Sequence, residues 1–174
     1  MIIDGHMYIF PPKDAQAGYP TLDEKMRIIQ SEEGAHHQPP WRVRDRAAAD
    51  NGTLIDPATS ELRDVRWVRH NGGLAWEYEG ETYTKQHMPP ILHDLTAPPE
   101  LMIAEMDYAG VDMALIHRTP YLGISNEFIA DCTARFPDRL QGLAHVEEWL
   151  VPTDPRGSYE KLKRAVAEPG MVGL

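Results

Sequence analysis

The residues best suited to chemistry begin almost at once, in Asp4-Gly5-His6-Met7-Tyr8. In a strand, residues two apart point to the same side, so His6 and Tyr8 project together and Asp4 points that way one step earlier. A pair of ligating side chains at a strand end is the start of a metal site. Two later apolar runs also end in polar residues. His117 and Arg118 follow Val111-Asp112-Met113-Ala114-Leu115-Ile116, and His145 and Glu147 close the run that begins at Leu140. Imidazole exchanges protons near neutral pH, which makes His117 and His145 candidate general acids or bases. Arg118 has the planar fork that grips a carboxylate with two hydrogen bonds. Tyr8 offers a phenol to a substrate or a bound water. Taken singly, each also fits an ordinary hydrogen-bonded strand end. The elements that carry them decide between the two.

Those elements alternate. Met1–Phe10 reads as a first strand, which Pro11 and Pro12 end. Pro98 and Pro99 open a helix that Gly110 stops. Its shared face is expected at Leu101, Glu105 and Tyr108, with Met102 and Met106 beside them. Residues 111–116 follow as a buried strand. A second helix starts near Ser125 or Asn126, with Phe128, Ile129, Cys132 and Phe136 on one face. Leu140–Val146 is a third strand. A third helix begins after Pro155, with Tyr159, Leu162 and Val166 inward, and Met171–Leu174 starts a fourth strand. Strand and helix in strict turn imply βαβ units with right-handed crossovers and a parallel sheet.

Residues 11–94 break this rhythm. Thr21-Leu22-Asp23-Glu24 is a capping box, followed by Leu22, Met26 and Ile29 at helical spacing. His36-His37 precedes two prolines and reads as a surface loop. Asn51-Gly52 marks a turn. Three β-rich runs then follow, 65–69, 74–78 and 81–85, joined by Asn71-Gly72-Gly73 and Glu79-Gly80. These predict a small antiparallel meander with Trp76, Tyr78 and Tyr83 packed across it. Pro89, Pro90, Pro98 and Pro99 bracket the exit. The segment reads as an insertion after the first strand, on the side where barrel loops shape specificity.

The first strand resembles that of the amidohydrolase superfamily, whose signature is an aspartate, one residue, then His-x-His. The more similar group is the amidohydrolase-related family that includes the aminocarboxymuconate semialdehyde decarboxylase-like enzymes. Ala109-Gly110-Val111-Asp112 and Arg135-Phe136-Pro137-Asp138-Arg139 also look like that family. The resemblance covers the first ten residues and roughly 95–174. It implies a TIM-type (β/α)8 barrel, of which this chain supplies the N-terminal half, about four strands. Residues 1–10 and 95–174 would form the partial barrel and 11–94 the insertion. It implies one divalent metal, zinc above all, with His6 as a ligand, and hydrolysis or non-oxidative decarboxylation of a small carboxylated or aromatic compound. His117, His145, Arg118 and Tyr8 are the candidate catalytic residues. Family members often pair as homodimers. The sequence departs from the signature at Tyr8, where the second histidine belongs, and a phenol binds zinc far less readily than an imidazole. The family's later ligands lie on the fifth, sixth and eighth strands, so the chain reads as a portion of a longer protein or a truncated one. A complete barrel takes about 250 residues.

Composition narrows the classes. The chain has 174 residues and a formal charge of −10, which argues against nucleic acid and anionic membrane surfaces. Arg42, Arg44 and Arg46 are interrupted by Asp45 and read as a solvated face. Cys132 is the one cysteine and falls on an apolar helical stripe, as a small core residue. No apolar run is long enough to span a bilayer, and no signal-peptide pattern opens the chain, so a cytoplasmic protein is expected. Two readings stand: the enzyme just described, and a metal-free small-molecule-binding module or pseudoenzyme marked by Tyr8. An unrelated doubly wound α/β domain is weaker, because no glycine-rich phosphate loop follows any strand.

Overall fold

The computed structural model describes residues 1–86 and 95–174. In chain order the elements are β1 (Ile3–Met7), α1 (Leu22–Ala35), β2 (Trp41–Arg42), β3 (Arg66–His70), β4 (Gly73–Tyr78), β5 (Glu81–Thr84), α2 (Pro99–Ala109), β6 (Met113–Ile116), α3 (Asn126–Arg135), β7 (Leu140–Leu143), α4 (Pro155–Ala165) and β8 (Met171–Gly173). Short 3-10 turns fall at Asn51–Thr53 and Glu148–Leu150. The chain divides into two compact units, Met1–Pro20 with Ala97–Leu174, and Thr21–Thr96. Pro89 and Pro90 lie outside the described residues. Among the described residues, no helix is long and apolar enough to cross a membrane.

The first unit is an α/β layer. Its sheet runs β1-β6-β7-β8, every neighbouring pair parallel. The order follows the chain without reversal, and a helix lies between each successive pair of strands. Strands alternate sides, so Ala114, Ile116, Leu140 and Met171 join one apolar core with Met106, Ile129, Cys132 and Ala165 of the helices. Helix boundaries follow local chemistry. Pro98 and Pro99 start α2, and Gly110 ends it in the left-handed conformation, φ 72°. Ser125 caps α3 by accepting from Phe128 N. Asp154 caps α4 through Gly157 N.

The inward faces differ from the sequence expectation in two helices. Tyr108 is 93% exposed, and α2 packs inward through Met106 with Met102 and Ile103 against the core. In α4 Tyr159 and Val166 are exposed, and Ala165 is buried instead. Helix α3 presents Ile129 and Cys132 to the core as its spacing predicts, both fully buried. Gly142 of β7 shows how closely α3 lies on the sheet: a Cβ there would meet Ile129 Cγ2 at 2.4 Å and Met171 Sδ at 2.9 Å. Gly142→Ala is therefore expected to cost about 1–3 kcal/mol of stability by overpacking. Chemical denaturation checks it, and an unchanged midpoint would contradict the close packing.

Residues 11–20 group with this first unit, whereas the sequence assigns them to the insertion. They lace onto the loop after β6. Ile124 N donates to Ala17 O at 2.8 Å, and Tyr19 Oη donates to Pro120 O at 3.0 Å. Lys13 Nζ bonds Tyr121 Oη. Gly18, at φ 95°, permits the approach, since a Cβ there would meet Ser125 N at 2.5 Å.

The second unit holds the meander. Its sheet is antiparallel in the order β2-β5-β4-β3, with the two-residue strand β2 added at one edge. Asn71-Gly72 and Glu79-Gly80 make the two hairpin turns, all four residues at positive φ, as a tight right-twisting hairpin requires. Trp76 is 1% exposed and stacks on Tyr83 with ring centroids 6.3 Å apart. Tyr78 lies instead beneath the Arg63 guanidinium. Thr21 caps α1 by accepting from Glu24 N, which is half of the expected box. Helix α1 buries Lys25, Ile29, Gln30 and Glu33, while Leu22 is exposed. Gln30 is tolerated inside because its Nε2 donates to Leu54 O and Arg63 O, both at 2.8 Å. Arg42 and Arg44 stay on a solvated face and pair with Asp45 and Glu81.

Candidate functional site

In a parallel sheet all carboxyl ends of the strands point one way, so the residues that close β1, β6 and β7 gather along one edge. His6 and Tyr8 come from β1 and the residue after it, His117 and Arg118 from just past β6, and His145 from two residues past β7. Each sequence-predicted site residue therefore lies at this edge of the first unit.

Three of them touch. His6 Nε2 and Tyr8 Oη are hydrogen-bonded at 2.8 Å. The His6 and His117 rings lie 4.4 Å apart between centroids, and Tyr8 meets His117 edge-on at 6.5 Å. The backbone holds this cluster from both sides. His117 N donates to Met7 O at 2.7 Å, continuing the β1–β6 pairing by one rung. His117 Nε2 bonds Gly5 O at 2.8 Å, and a carbonyl can only accept, so that nitrogen carries the proton. Asp4 Oδ1 accepts from His6 N at 2.9 Å and fixes the turn of the strand there. His6 and Tyr8 are open to solvent, so a ligand can reach them.

Arg118 is set differently. Its Nη2 donates to Gly123 O at 2.7 Å across the loop that leads into α3. Its Nε is buried and has no hydrogen-bond partner among the described residues. No carboxylate pairs with it among the described residues; Cys132 and Tyr19 are the titratable groups it senses most. Burial pulls its guanidinium down to about 10. A half-buried cation whose Nε is shielded from water and has no counter-ion among the described residues leaves a place for an anion.

His145 is buried, at 8% exposure, and its Nε2 also has no hydrogen-bond partner among the described residues. The Asn126 side chain holds its backbone: His145 N donates to Asn126 Oδ1 at 2.7 Å, and Asn126 Nδ2 donates to His145 O at 2.9 Å. Burial first, then the Lys161 ammonium, push the imidazole below its ordinary 6.5; Arg118 adds to this, and Glu147 and Glu148 oppose it. Glu147 itself is shifted in two directions. Burial raises it, but Lys161 Nζ, bonded to both its oxygens at 2.7 and 2.6 Å, brings the net value down.

The His145 shift has a consequence for stability. The folded chain keeps this imidazole neutral at a pH where the unfolded chain takes up a proton. The stability associated with neutral His145 is complete above about 6.5 and is lost as pH falls through that value and the lower folded one. The drop in melting temperature between pH 7.5 and pH 5.5 is expected to be smaller in His145→Gln than in the wild type. Equal drops in thermal melts would contradict it.

The metal that the resemblance implies meets a partial donor set here. His6 and His117 are the available imidazoles, their Nε2 atoms already bonded to Tyr8 Oη and Gly5 O. Among the described residues, no group of three or more His, Cys, Asp or Glu side chains is placed to hold a metal ion. Tyr8 stands where a further imidazole would raise the count, so a metal centre needs donors beyond this set.

Two residues at this edge escape a sequence reading. Asn126 looks only like a helix start, and Lys161 like one more exposed charge of α4. The available signal for Asn126 is its place directly after Ser125, a residue that already caps the helix. No protein-family model matches this sequence, and no curated protein matches it closely.

Proposed function

We propose that this chain forms the carboxylate-binding edge of an amidohydrolase-related enzyme, a hydrolase or non-oxidative decarboxylase acting on a small carboxylated or aromatic compound. The observation that carries the reading is the gathering, at the carboxyl edge of one parallel sheet, of the His6–Tyr8–His117 cluster with a half-buried Arg118 that has no carboxylate partner among the described residues. The sheet order β1-β6-β7-β8, unreversed and with helices between, supports the half of a TIM-type barrel rather than a doubly wound sheet. In this reading Arg118 supplies charge for a substrate carboxylate. His145 is a neutral proton acceptor kept so by burial. His6, Tyr8 and His117 line the solvent-facing side. A divalent metal would polarise a substrate oxygen or activate a water there. The protein is cytoplasmic and homodimeric in this account.

The His6 Nε2 to Tyr8 Oη bond favours a second reading, a metal-free binding module, because it occupies the nitrogen a metal would use. Elemental analysis of the protein expressed from its complete reading frame separates the two. About one equivalent of zinc or manganese, with turnover in a screen of hydrolase and decarboxylase substrates, is the result the enzyme reading expects. A well-folded protein without metal that binds carboxylates and turns none over would establish the binding module instead.

A further inference from the structure

Asn126 is 6% exposed, and both ends of its side chain are spent on one other residue, His145. We propose that Asn126 is a positioning residue for His145, standing in for a strand partner beyond the end of β7 so that the imidazole is held at the carboxyl edge of the sheet. The proposal deepens the functional reading above and rests on it for the role of that edge.

The β7–β8 pairing closes with Ala144 N donating to Gly173 O at 2.8 Å. Successive residues of a parallel strand bond alternate neighbours, so His145, one residue further, faces the β6 side beyond the last β6–β7 pair, Ile116 with Gly142, and a buried backbone N–H and C=O there must find partners. The Asn126 carboxamide provides both, one acceptor and one donor, in the reciprocal pattern of an antiparallel rung. Its orientation follows from complementarity: turning the amide over would set donor against donor and acceptor against acceptor. The residue is free for this task because Ser125 already caps α3 through Phe128 N. Asparagine is otherwise a poor choice for a buried first turn.

The contrast with the His145 ring is what points to function. The backbone N–H and C=O of His145 are both satisfied, yet among the described residues its imidazole makes no hydrogen bond, and Nε2 is buried with none. A chain that needed only a filled position would carry an apolar residue there. An imidazole with one nitrogen unpaired, fixed through its backbone, suits a group that must give or take a proton. The charged groups around it are Arg118 from the loop after β6, Glu147 and Glu148 from the turn that follows, and Lys161 from α4. Burial is the largest influence on it, so loosening the clamp should let water in and return the ring toward ordinary titration.

The test follows the His145 Cε1–H signal by NMR across a pH titration of the full chain, assigned with His145→Gln. Asn126→Ala is expected to raise the His145 midpoint by about half a pH unit or more. A cooperatively folded Asn126→Ala with an unchanged midpoint overturns the proposal. Should that variant fail to fold, Asn126→Asp decides, since it keeps the acceptor for His145 N while replacing the donor by a carboxylate. Its His145 midpoint must then lie above the wild-type value, and an unchanged one overturns the proposal. Benzoate added to the wild type is read separately. Absence of any benzoate response defeats the carboxylate-site reading, while the midpoints alone decide the role of Asn126.

Discussion

Arg118→Met is expected to abolish most of the proposed carboxylate binding and to leave the fold standing. The side chain is half-buried with its Nε out of solvent, gives a hydrogen bond to Gly123 O, and has no carboxylate beside it among the described residues. A bound carboxylate would be its missing partner, so removing it should weaken binding by about 2–5 kcal/mol, roughly 30- to 5,000-fold in Kd. Stability moves far less. Methionine relieves the cost of holding a cation out of water but strands the Gly123 carbonyl, and the two effects oppose each other within about 1–2 kcal/mol. Calorimetric titration with benzoate, paired with thermal melts, measures both. Intact binding together with a collapse in melting temperature would make Arg118 a purely structural residue.

Tyr8→His is expected to raise zinc affinity by about tenfold or more, at least about 1.4 kcal/mol. Tyr8 projects beside His6 and is hydrogen-bonded to its Nε2, so the new imidazole enters at the position where the existing donor set falls short. An imidazole is a far better zinc ligand than a neutral phenol. Tyr8 is 36% exposed, so the exchange leaves no buried void and folding is expected to be little changed. Competition against a chromophoric chelator, on protein from the complete reading frame, gives the number. Equal affinities for wild type and variant would show that Tyr8 does not stand at a ligand position.

Much of this architecture is legible where local chemistry acts alone. Prolines 98 and 99 and Gly110 bound α2, Ser125 caps α3, and the Asn71-Gly72 and Glu79-Gly80 turns set the hairpins, because caps and positive-φ turns need only neighbouring residues. The places of the strands are legible too, and with them the positions of His6, His117 and Arg118, but the first strand is shorter than Met1–Phe10 and the third ends at Leu143 rather than Val146, which leaves His145 beyond it. Helix faces were read less well. The apolar spacing of α4 suggests Tyr159 and Val166 inward, yet both are exposed and the small Ala165 is the residue buried in the core. In α1 polar Lys25, Gln30 and Glu33 are buried, and Gln30 is there because carbonyls more than twenty residues away accept from it. The Asn126–His145 clamp was hidden for the same reason: its partners lie 19 residues apart, and neither residue type announces the other.

The most direct test of a carboxylate site at the sheet edge is to follow the imidazole signals by NMR while benzoate, and separately benzamide, is added. The account predicts that benzoate shifts His6, His117 and His145 saturably and leaves His36, His37 and His70 of the other unit in place, while benzamide, of the same shape but uncharged, moves none of them. Silence at all three edge histidines with benzoate, or equal shifts with benzamide, would contradict it.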